Sequence, residues 1–247
     1  IELLRVWGSI VPNQPRIPYR RARIHEYFHQ TDEAIQQYKL ALSYDPNFQK
    51  AAYHLSRVLL QQRNPEESKR YYQLCNNSKA SLAAQVGIAN CHRTNGELEE
   101  ARAVLERVVQ SSFEEIEDSF HSVDEYTERY LAASELGCIE TELGDFQSAE
   151  RHLVQALAKY PLDSVGRYSY AVSLRGLGRR EEAEANFAKT RAARQALDEV
   201  SSLQEVLRQN PEDTAVRLRI GKAVLEHESE RVGVFWIQSI FAYDPNN

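Results

Sequence analysis

Small residues recur along this chain at a fixed spacing that few folds can satisfy. We call six of them anchor positions: Ala34, Ser68, Ala101, Ala149, Ala183 and Gly233. Twelve residues before each anchor stands a second small residue: Ala22, Ser56, Ala89, Gly137, Ala171 and Gly221. Four residues after each anchor stands a large apolar residue: Tyr38, Tyr72, Leu105, Leu153, Phe187 and Ile237. The chain is therefore predicted to build the same local structure six times.

The repeated unit is predicted to be a pair of helices joined by a short turn. Small residues on both helices let the two axes approach closely, and the large residue fills the groove beside them. Glycine stands five residues before three anchors, at Gly96, Gly144 and Gly178, where it breaks the chain between the helices. Proline ends the second helix at Pro46 and Pro161. One such hairpin cannot bury its apolar face, so neighbouring hairpins are expected to stack into a solenoid.

The segment LGCIETELGDFQSAERHLVQALAKYPLD, residues 136–163, resembles the tetratricopeptide repeat, a helix-turn-helix unit of about 34 residues. The resemblance covers about residues 15–247, because six units in series obey the same spacing. It implies an all-α, right-handed α-α superhelical solenoid of about six helical hairpins. It also implies a non-enzymatic scaffold for protein–protein interactions.

Unequal spacings between the anchors, of 34, 33, 48, 34 and 50 residues, predict two insertions. The predicted organisation is a lead-in or cap at 1–14, units one to three at 15–110, an acidic insertion at 111–129, units four and five at 130–190, an inserted or extended helix at 191–213, and unit six at 214–247 of a truncated array. In the acidic insertion, Ser122 and Glu125 have the spacing of a capping box and predict a helix that starts there. In the second insertion, apolar residues recur at helical spacing: Ala196, Val200, Leu203 and Leu207.

Composition argues against several other classes of protein. The net charge of −6 disfavours nucleic acid as a partner, because binding phosphates requires a basic face. No apolar run reaches the roughly 20 residues that span a membrane. The cysteines Cys75, Cys91 and Cys138 form no C-x-x-C pair, so reduced, half-buried thiols are expected rather than a disulfide framework or a cysteine zinc site. No cofactor is predicted, and the cytoplasm and the periplasm are both compatible with the sequence.

One short motif points to catalysis instead. Residues 25–29 read HEYFH and match H-E-x-x-H, in which two histidines on one helix face bind zinc and the glutamate activates a water. In the repeat register, His25 takes the place of a packing aromatic and His29 that of the turn glycine. The continuation found in one large class of zinc proteases needs a histidine where this chain has Ile35. We interpret both histidines as structural, with a zinc-dependent hydrolase as the alternative.

The resemblance also implies where a partner binds. In this family the first helix of each unit lines the concave groove, with residues three before, one after and four after its small residue pointing inward. The positions selected as the partner-binding groove are Tyr19, Arg23, Tyr53, Arg57, Asn90, Arg93, Tyr168 and Arg175. Arginine forks bind carboxylates, and tyrosine adds rigid contact area. The expected partner is an extended acidic peptide or protein, with solvated arginines on a helix face as the alternative.

The family's clamp for chaperone tails is not matched. Its lysine, asparagine and arginine positions fall on Tyr19, Arg23, His54, Ala83 and Gly87. A chaperone tail is therefore not predicted as the partner.

Two further hypotheses stay open. The chain is compatible with a regulatory repeat module of a larger enzyme. Phe235, Trp236 and Phe241 in the last unit predict an apolar end that self-associates.

Overall fold

A computed structural model describes residues 11, 13–126 and 131–243, and within these residues all the regular structure is helical. Thirteen α-helices and one short 3-10 helix follow one another along this part of the chain. The contacts divide the chain into two compact units, 1–127 and 128–247. None of the helices in the described ranges combines the length and the apolar character that a membrane crossing requires.

The described residues of the first unit form three helical hairpins and one additional helix. The hairpins are α1 Arg16–Tyr27 with α2 Thr31–Tyr44, α3 Gln49–Gln61 with α4 Pro65–Gln73, and α5 Ser81–Thr94 with α6 Leu98–Val108. The additional helix is α7 Phe113–His121. Residues 1–10 and 12, in the predicted lead-in, lie outside the described residues.

Three hairpins also make up the part of the second unit that the structure describes. They are α8 Leu131–Leu143 with α9 Phe146–Lys159, α10 Ser164–Gly176 with α11 Arg180–Gln209, and α12 Thr214–His227 with α13 Glu230–Gln238. The 3-10 helix Ser239–Ala242 follows α13. Aspartate side chains at Asp145, Asp163 and Asp213 cap α9, α10 and α12 by accepting a hydrogen bond from a backbone N–H in the first turn.

The small residues are buried in all six hairpins, as their spacing predicted. Ala22 and Ala34 have no exposed surface, and Tyr38 is equally buried beside them. Ser68 replaces alanine as an anchor and uses its hydroxyl to donate a 2.8 Å hydrogen bond to the carbonyl oxygen of Ser56 on the facing helix. In the sixth hairpin, a Cβ added to Gly233 would lie 2.5 Å from the backbone nitrogen of Leu225. The helices of this hairpin therefore approach each other more closely than an alanine anchor permits.

The turn between the two helices of a hairpin needs a residue in the left-handed conformation. Gly96, Gly144 and Gly178 adopt it with φ of 80° to 82°. His29 and Arg63 occupy the same position in the first two hairpins with φ of 57° and 56°. The expectation that His29 replaces a turn glycine is thus confirmed, and Arg63 does the same.

The acidic insertion starts its helix earlier than the sequence suggested. Ser112 and Glu115 form the capping box, with reciprocal side-chain to backbone hydrogen bonds, and α7 begins at Phe113. The predicted capping box at Ser122 and Glu125 is wrong, because Ser122 is the C-terminal cap of the same helix. Both pairs have the same spacing, and the first is followed by the buried apolar residues Ile116 and Phe120 of α7.

Helix α11 continues well past the hairpin to which it belongs. It is one helix of 30 residues, and its second half crosses the segment that we assigned to an inserted or extended helix. Val200, Leu203 and Leu207 on this half pack in a buried cluster with Val216, Ile220 and Val224 of α12. The extension is therefore held by the apolar face of the next hairpin.

The three cysteines are free thiols and fully buried, which is deeper than the half-buried positions expected for them. Burial raises the pKa of the Cys75 thiol to about 11. Because the thiolate is the reactive form, this cysteine is inert at neutral pH.

Candidate partner-binding face

The first helices α1 and α3 bring together four of the predicted groove residues in the first unit. We call the surface that carries Tyr19, Arg23, Lys50, Tyr53, His54 and Arg57 the first-helix face. The ring centroid of His54 lies 5.9 Å from that of Tyr19 and 5.4 Å from that of Tyr53. Arg23 Nη1 donates to His54 Nδ1 at 2.6 Å, which links the two helices. Arg57 forms an ion pair with Glu26 of α1.

A segment of the chain itself covers this face. We call residues 120–126, at the end of α7 and just beyond it, the resident segment. The Phe120 ring is buried, with its centroid 6.4 Å from that of Tyr53. Val123 is fully buried, and its carbonyl oxygen accepts a 2.7 Å hydrogen bond from His54 Nε2. Nearby, the Ser119 hydroxyl accepts a hydrogen bond from the backbone N–H of Ala83 on α5.

Two neighbouring carboxylates of the resident segment meet the polar groups of the face. Asp124 Oδ1 lies 2.5 Å from Lys50 Nζ, and Asp124 Oδ2 accepts a 3.1 Å hydrogen bond from the Tyr19 hydroxyl. Burial acts to raise the pKa of Asp124, but the hydrogen bonds from Lys50 and Tyr19 outweigh it and the pKa is lowered. The carboxylate is therefore the bound form at neutral pH.

The contact of Glu125 is less complete. Its Oε2 lies 3.8 Å from Arg57 Nε, and neither of these two buried atoms has a hydrogen-bond partner. Arg57 directs another nitrogen, Nη2, to Glu26 Oε1. One donor and one acceptor of the same ion pair are therefore close enough for attraction but too far apart for a hydrogen bond.

His54 is the buried centre of the face. Burial and the nearby Arg23 cation lower its pKa to about 3, so the imidazole is neutral at physiological pH. Because Nε2 donates to the Val123 carbonyl, Nδ1 is the acceptor for Arg23. The hydrogen bond from Arg23 therefore orients the imidazole ring, and the ring in turn donates to the backbone of the resident segment.

The remaining predicted residues lie on other helices. Asn90 and Arg93 are half-buried on α5, in the first unit. Tyr168 and Arg175 are exposed on α10, in the second unit. The Tyr168 ring centroid lies 5.6 Å from that of Phe187, and the Arg175 guanidinium lies 5.4 Å from the same ring.

The HEYFH motif does not have the geometry of a helical zinc site. Helix α1 ends at Tyr27, so His29 lies beyond it in the turn and cannot share a helix face with His25. His25 Nδ1 lies 2.7 Å from the side-chain oxygen of Gln30. Glu26, the expected general base, accepts a hydrogen bond from Tyr38 and pairs with Arg57. In the described part of the chain, no three His, Cys, Asp or Glu side chains are grouped as a metal site would require.

Sequence reasoning missed the groups that contact the resident segment most directly. Lys50 and His54 lie six and two residues before the small Ser56, and neither was among the positions selected for the groove, although His54 falls on a position of the chaperone-tail clamp. The sequence marked Asp124 only as part of an acidic insertion, and Glu125 only as part of that insertion and of the predicted capping box. The signal that could have joined them was charge complementarity between that insertion and the basic, aromatic positions of the preceding units.

A second surface lies in the second unit, around a cleft of about 710 Å³. Pro161 and Leu162 line one side, and Val234 and Phe235 line another. Phe235 is 68% exposed and Phe241 is 53% exposed, whereas Trp236 packs against the cluster shared by α11 and α12. Two of the three aromatic residues predicted to favour self-association are thus available at the surface.

The fold and the sequence both indicate the same protein family. The sequence matches the tetratricopeptide repeat over residues 19–78 and 135–197. The chain is a tetratricopeptide repeat protein, and its fold is that of scaffolds for protein–protein interactions. Comparison with curated protein sequences found no match.

Solved structures with a similar fold come from several kinds of protein. PilW, a type IV pilus biogenesis factor, matches 76% of this chain and 82% of its own length, with a TM-score of 0.61 and 18% identity. TTC0263, a tetratricopeptide repeat protein of Thermus thermophilus, matches 85% and 99%, with a TM-score of 0.53 and 22% identity. The APC/C hetero-tetramer Cut9–Hcn1 matches 99% of this chain and 43% of its own, with a TM-score of 0.60 and 14% identity. At these identities the likeness concerns the fold alone.

Proposed function

We propose that this protein is a non-enzymatic scaffold that binds an acidic peptide or protein segment on its first-helix face. The partner contributes carboxylates to Lys50, Arg57 and Tyr19 and apolar side chains to the surface around Tyr53. The observation that carries this proposal is the contact of Asp124 with Lys50 and Tyr19. The face thus has the donors, in position, that an acidic peptide requires.

The stacked architecture supports this role because contacts within the face hold its aromatic rings and Arg57. Tyr19 and Tyr53 are held by aromatic contacts with His54, and Arg57 is held by Glu26. A pre-organised face loses little conformational entropy when a partner binds. The two tyrosine side chains therefore need little reorganisation when a partner binds.

The proposal is tested by titrating the protein with a synthetic acidic peptide, DSFHSVDEY, which has the sequence of residues 118–126. Its control peptide, DSFHSVNQY, lacks the two carboxylates of the DE pair. We expect calorimetry to give a dissociation constant at least about tenfold lower for the acidic peptide, because each charge-assisted hydrogen bond contributes about 1.5–3 kcal/mol. Equal affinity for the two peptides would contradict a site that recognises carboxylates.

A double variant locates the binding site. Arg23→Ala together with Arg57→Ala is expected to lower the affinity for the acidic peptide by at least about tenfold, since Arg57 provides charge and Arg23 orients His54. Arg16→Ala with Arg20→Ala removes the same charge from exposed positions on α1 and serves as the control. Circular dichroism checks that both variants fold. If the first pair leaves the affinity unchanged, the partner binds elsewhere.

A further inference from the structure

We infer that the resident segment is a built-in competitor for the partner site, and that the partner carries the same pattern of side chains. This pattern is an aromatic residue, two intervening residues, an aliphatic residue and two acidic residues, as in Phe120, Val123, Asp124 and Glu125. The inference rests on the proposed function, because it assigns the partner to the same face. It adds what the partner must look like and what it must displace.

The acidic half of the pattern follows from the spacing of the cations. Lys50 contacts the first carboxylate, and Arg57 lies near the second. Adjacent carboxylates therefore reach cations about two helical turns apart, since Lys50 and Arg57 are seven residues apart on α3. A single acidic residue can use only one of these cations.

The apolar half follows from burial. Val123 has no exposed surface, and Phe120 is 3% exposed with its ring centroid 6.4 Å from that of Tyr53 on the face. The backbone of Val123 contributes as well, because its carbonyl oxygen accepts the hydrogen bond from His54 Nε2. A partner segment needs side chains of similar size at the same separation, followed by a carbonyl in reach of His54.

The resident segment is an imperfect occupant, and this makes replacement possible. Asp124 adopts φ of 60° at the left-handed position that ends α7, where glycine is the usual residue and aspartate is one of the few others tolerated. Glu125 Oε2 and Arg57 Nε are buried without a hydrogen bond although they lie only 3.8 Å apart. A partner whose second carboxylate approaches Arg57 to normal hydrogen-bond distance satisfies both the donor and its own acceptor. The resident segment does not form this hydrogen bond, because its second carboxylate lies too far from Arg57 Nε.

The resident segment and the face belong to the same chain, and this sets the effective concentration at which the segment competes. A short tethered segment acts at an effective concentration of about a millimolar. The measured affinity of a partner is therefore reduced by the fraction of molecules in which the face is free. Substitutions that weaken the contacts of the resident segment with the face should therefore raise the affinity for a partner, although the face itself is unchanged.

The experiment compares the affinity of the peptide DSFHSVDEY for the intact protein and for the variant Asp124→Asn with Glu125→Gln. The substitutions remove the resident carboxylates and leave Tyr19, Lys50 and Arg57 in place. We expect the variant to bind the peptide at least about tenfold more tightly. The control variant, Glu114→Gln with Asp118→Asn, removes two charges from exposed positions of α7. It should leave the affinity for the peptide unchanged.

Hydrogen exchange provides a second measurement that does not depend on substitution. The amides of Val123, Asp124 and Glu125 donate to backbone carbonyls at the end of α7. We expect saturating peptide to accelerate their exchange in the unmodified protein, while the amides of α1 and α3 remain protected. Unchanged exchange of these three amides under saturating peptide would overturn the inference.

The outcomes separate the inference from the proposed function. If the intact protein binds the acidic peptide, and the Asp124 and Glu125 variant binds it no more tightly, the face receives peptides but the resident segment does not compete. If neither form binds the peptide in preference to DSFHSVNQY, the proposed function fails together with the inference. Equal gains in the variant and in its charge-matched control would also overturn the inference, since the effect would then be one of net charge.

Discussion

At the scale of single residues, left-handed turns show where this sequence departs from its own repeat. Three hairpins use glycine at the turn position, and two use His29 and Arg63 with φ near 57°. A residue with a Cβ is strained in this conformation by about 1–2 kcal/mol. The first two hairpins therefore carry a cost that the other turns with glycine avoid.

Replacing Arg63 with glycine is expected to raise the free energy of unfolding by about 1 kcal/mol, because it relieves that strain. Gln62 stands next to it, exposed and with φ of −79°, so Gln62→Gly provides the matched control and should be neutral or destabilising. Urea denaturation followed by circular dichroism measures both. A loss of stability in the Arg63 variant would show that its side chain contributes more than its backbone costs.

Arg23 illustrates why a residue's position on a face does not define its role. Its place in the repeat register made it a candidate for contact with an acidic partner. In the structure it donates instead to His54, which in turn donates to the backbone of Val123. In the proposed site Arg23 is therefore a positioning residue, and Lys50 is the cation that touches the Asp124 carboxylate.

At the scale of elements, the long helix α11 depends on the hairpin that follows it. Its second half has an apolar stripe formed by Val200, Leu203 and Leu207, which packs against α12. Most helical stability in proteins comes from packing of an apolar face rather than from the helix alone, so this contact is what stabilises the extension. The same helix serves one hairpin with its first half and the next with its second.

We expect Leu203→Ala to lower the free energy of unfolding by about 2–4 kcal/mol, because it removes a buried side chain and leaves a cavity. Val206 lies on the same stretch but is 47% exposed, so Val206→Ala should cost far less. Chemical denaturation of both variants makes the comparison. Similar losses at the two positions would mean that α12 does not cover this half of the helix.

The hairpins could be predicted from sequence because their small residues are constrained by close helix packing in every unit. The position of the resident segment could not be predicted in the same way. Its contacts join residues as far apart as Tyr19 and Asp124, and only the folded stack brings them together. The spacing of Ser122 and Glu125 was a local signal for a helix start, but the packing of Ile116 and Phe120 placed that start ten residues earlier, at Ser112.

At the scale of the whole molecule, two kinds of surface are available for association. The first unit has a polar and aromatic face that is covered by the chain's own acidic segment. The second unit exposes aromatic rings at Phe235, which lines the cleft beside Pro161 and Leu162, and at Phe241. Exposed apolar patches of this kind favour association between molecules.

Self-association through the second unit is tested with Phe235→Ser together with Phe241→Ser. We expect sedimentation equilibrium to show weaker concentration-dependent association for this variant than for the unmodified protein, because the apolar area that drives contact is removed. Tyr27 and Phe28 are exposed aromatics in the first unit, and serine at both positions is the control. If all three proteins behave alike, this aromatic surface does not mediate assembly.

The covalent link between the resident segment and the face it covers has a consequence for dose response. A competitor that is part of the chain cannot be removed by dilution, so the proportion of open molecules is the same at any protein concentration. Occupancy by a partner then depends on the partner's concentration alone, measured against a threshold set by residues 120–126. Substitutions in that segment can shift the threshold in either direction while the surface that recognises the partner stays unchanged.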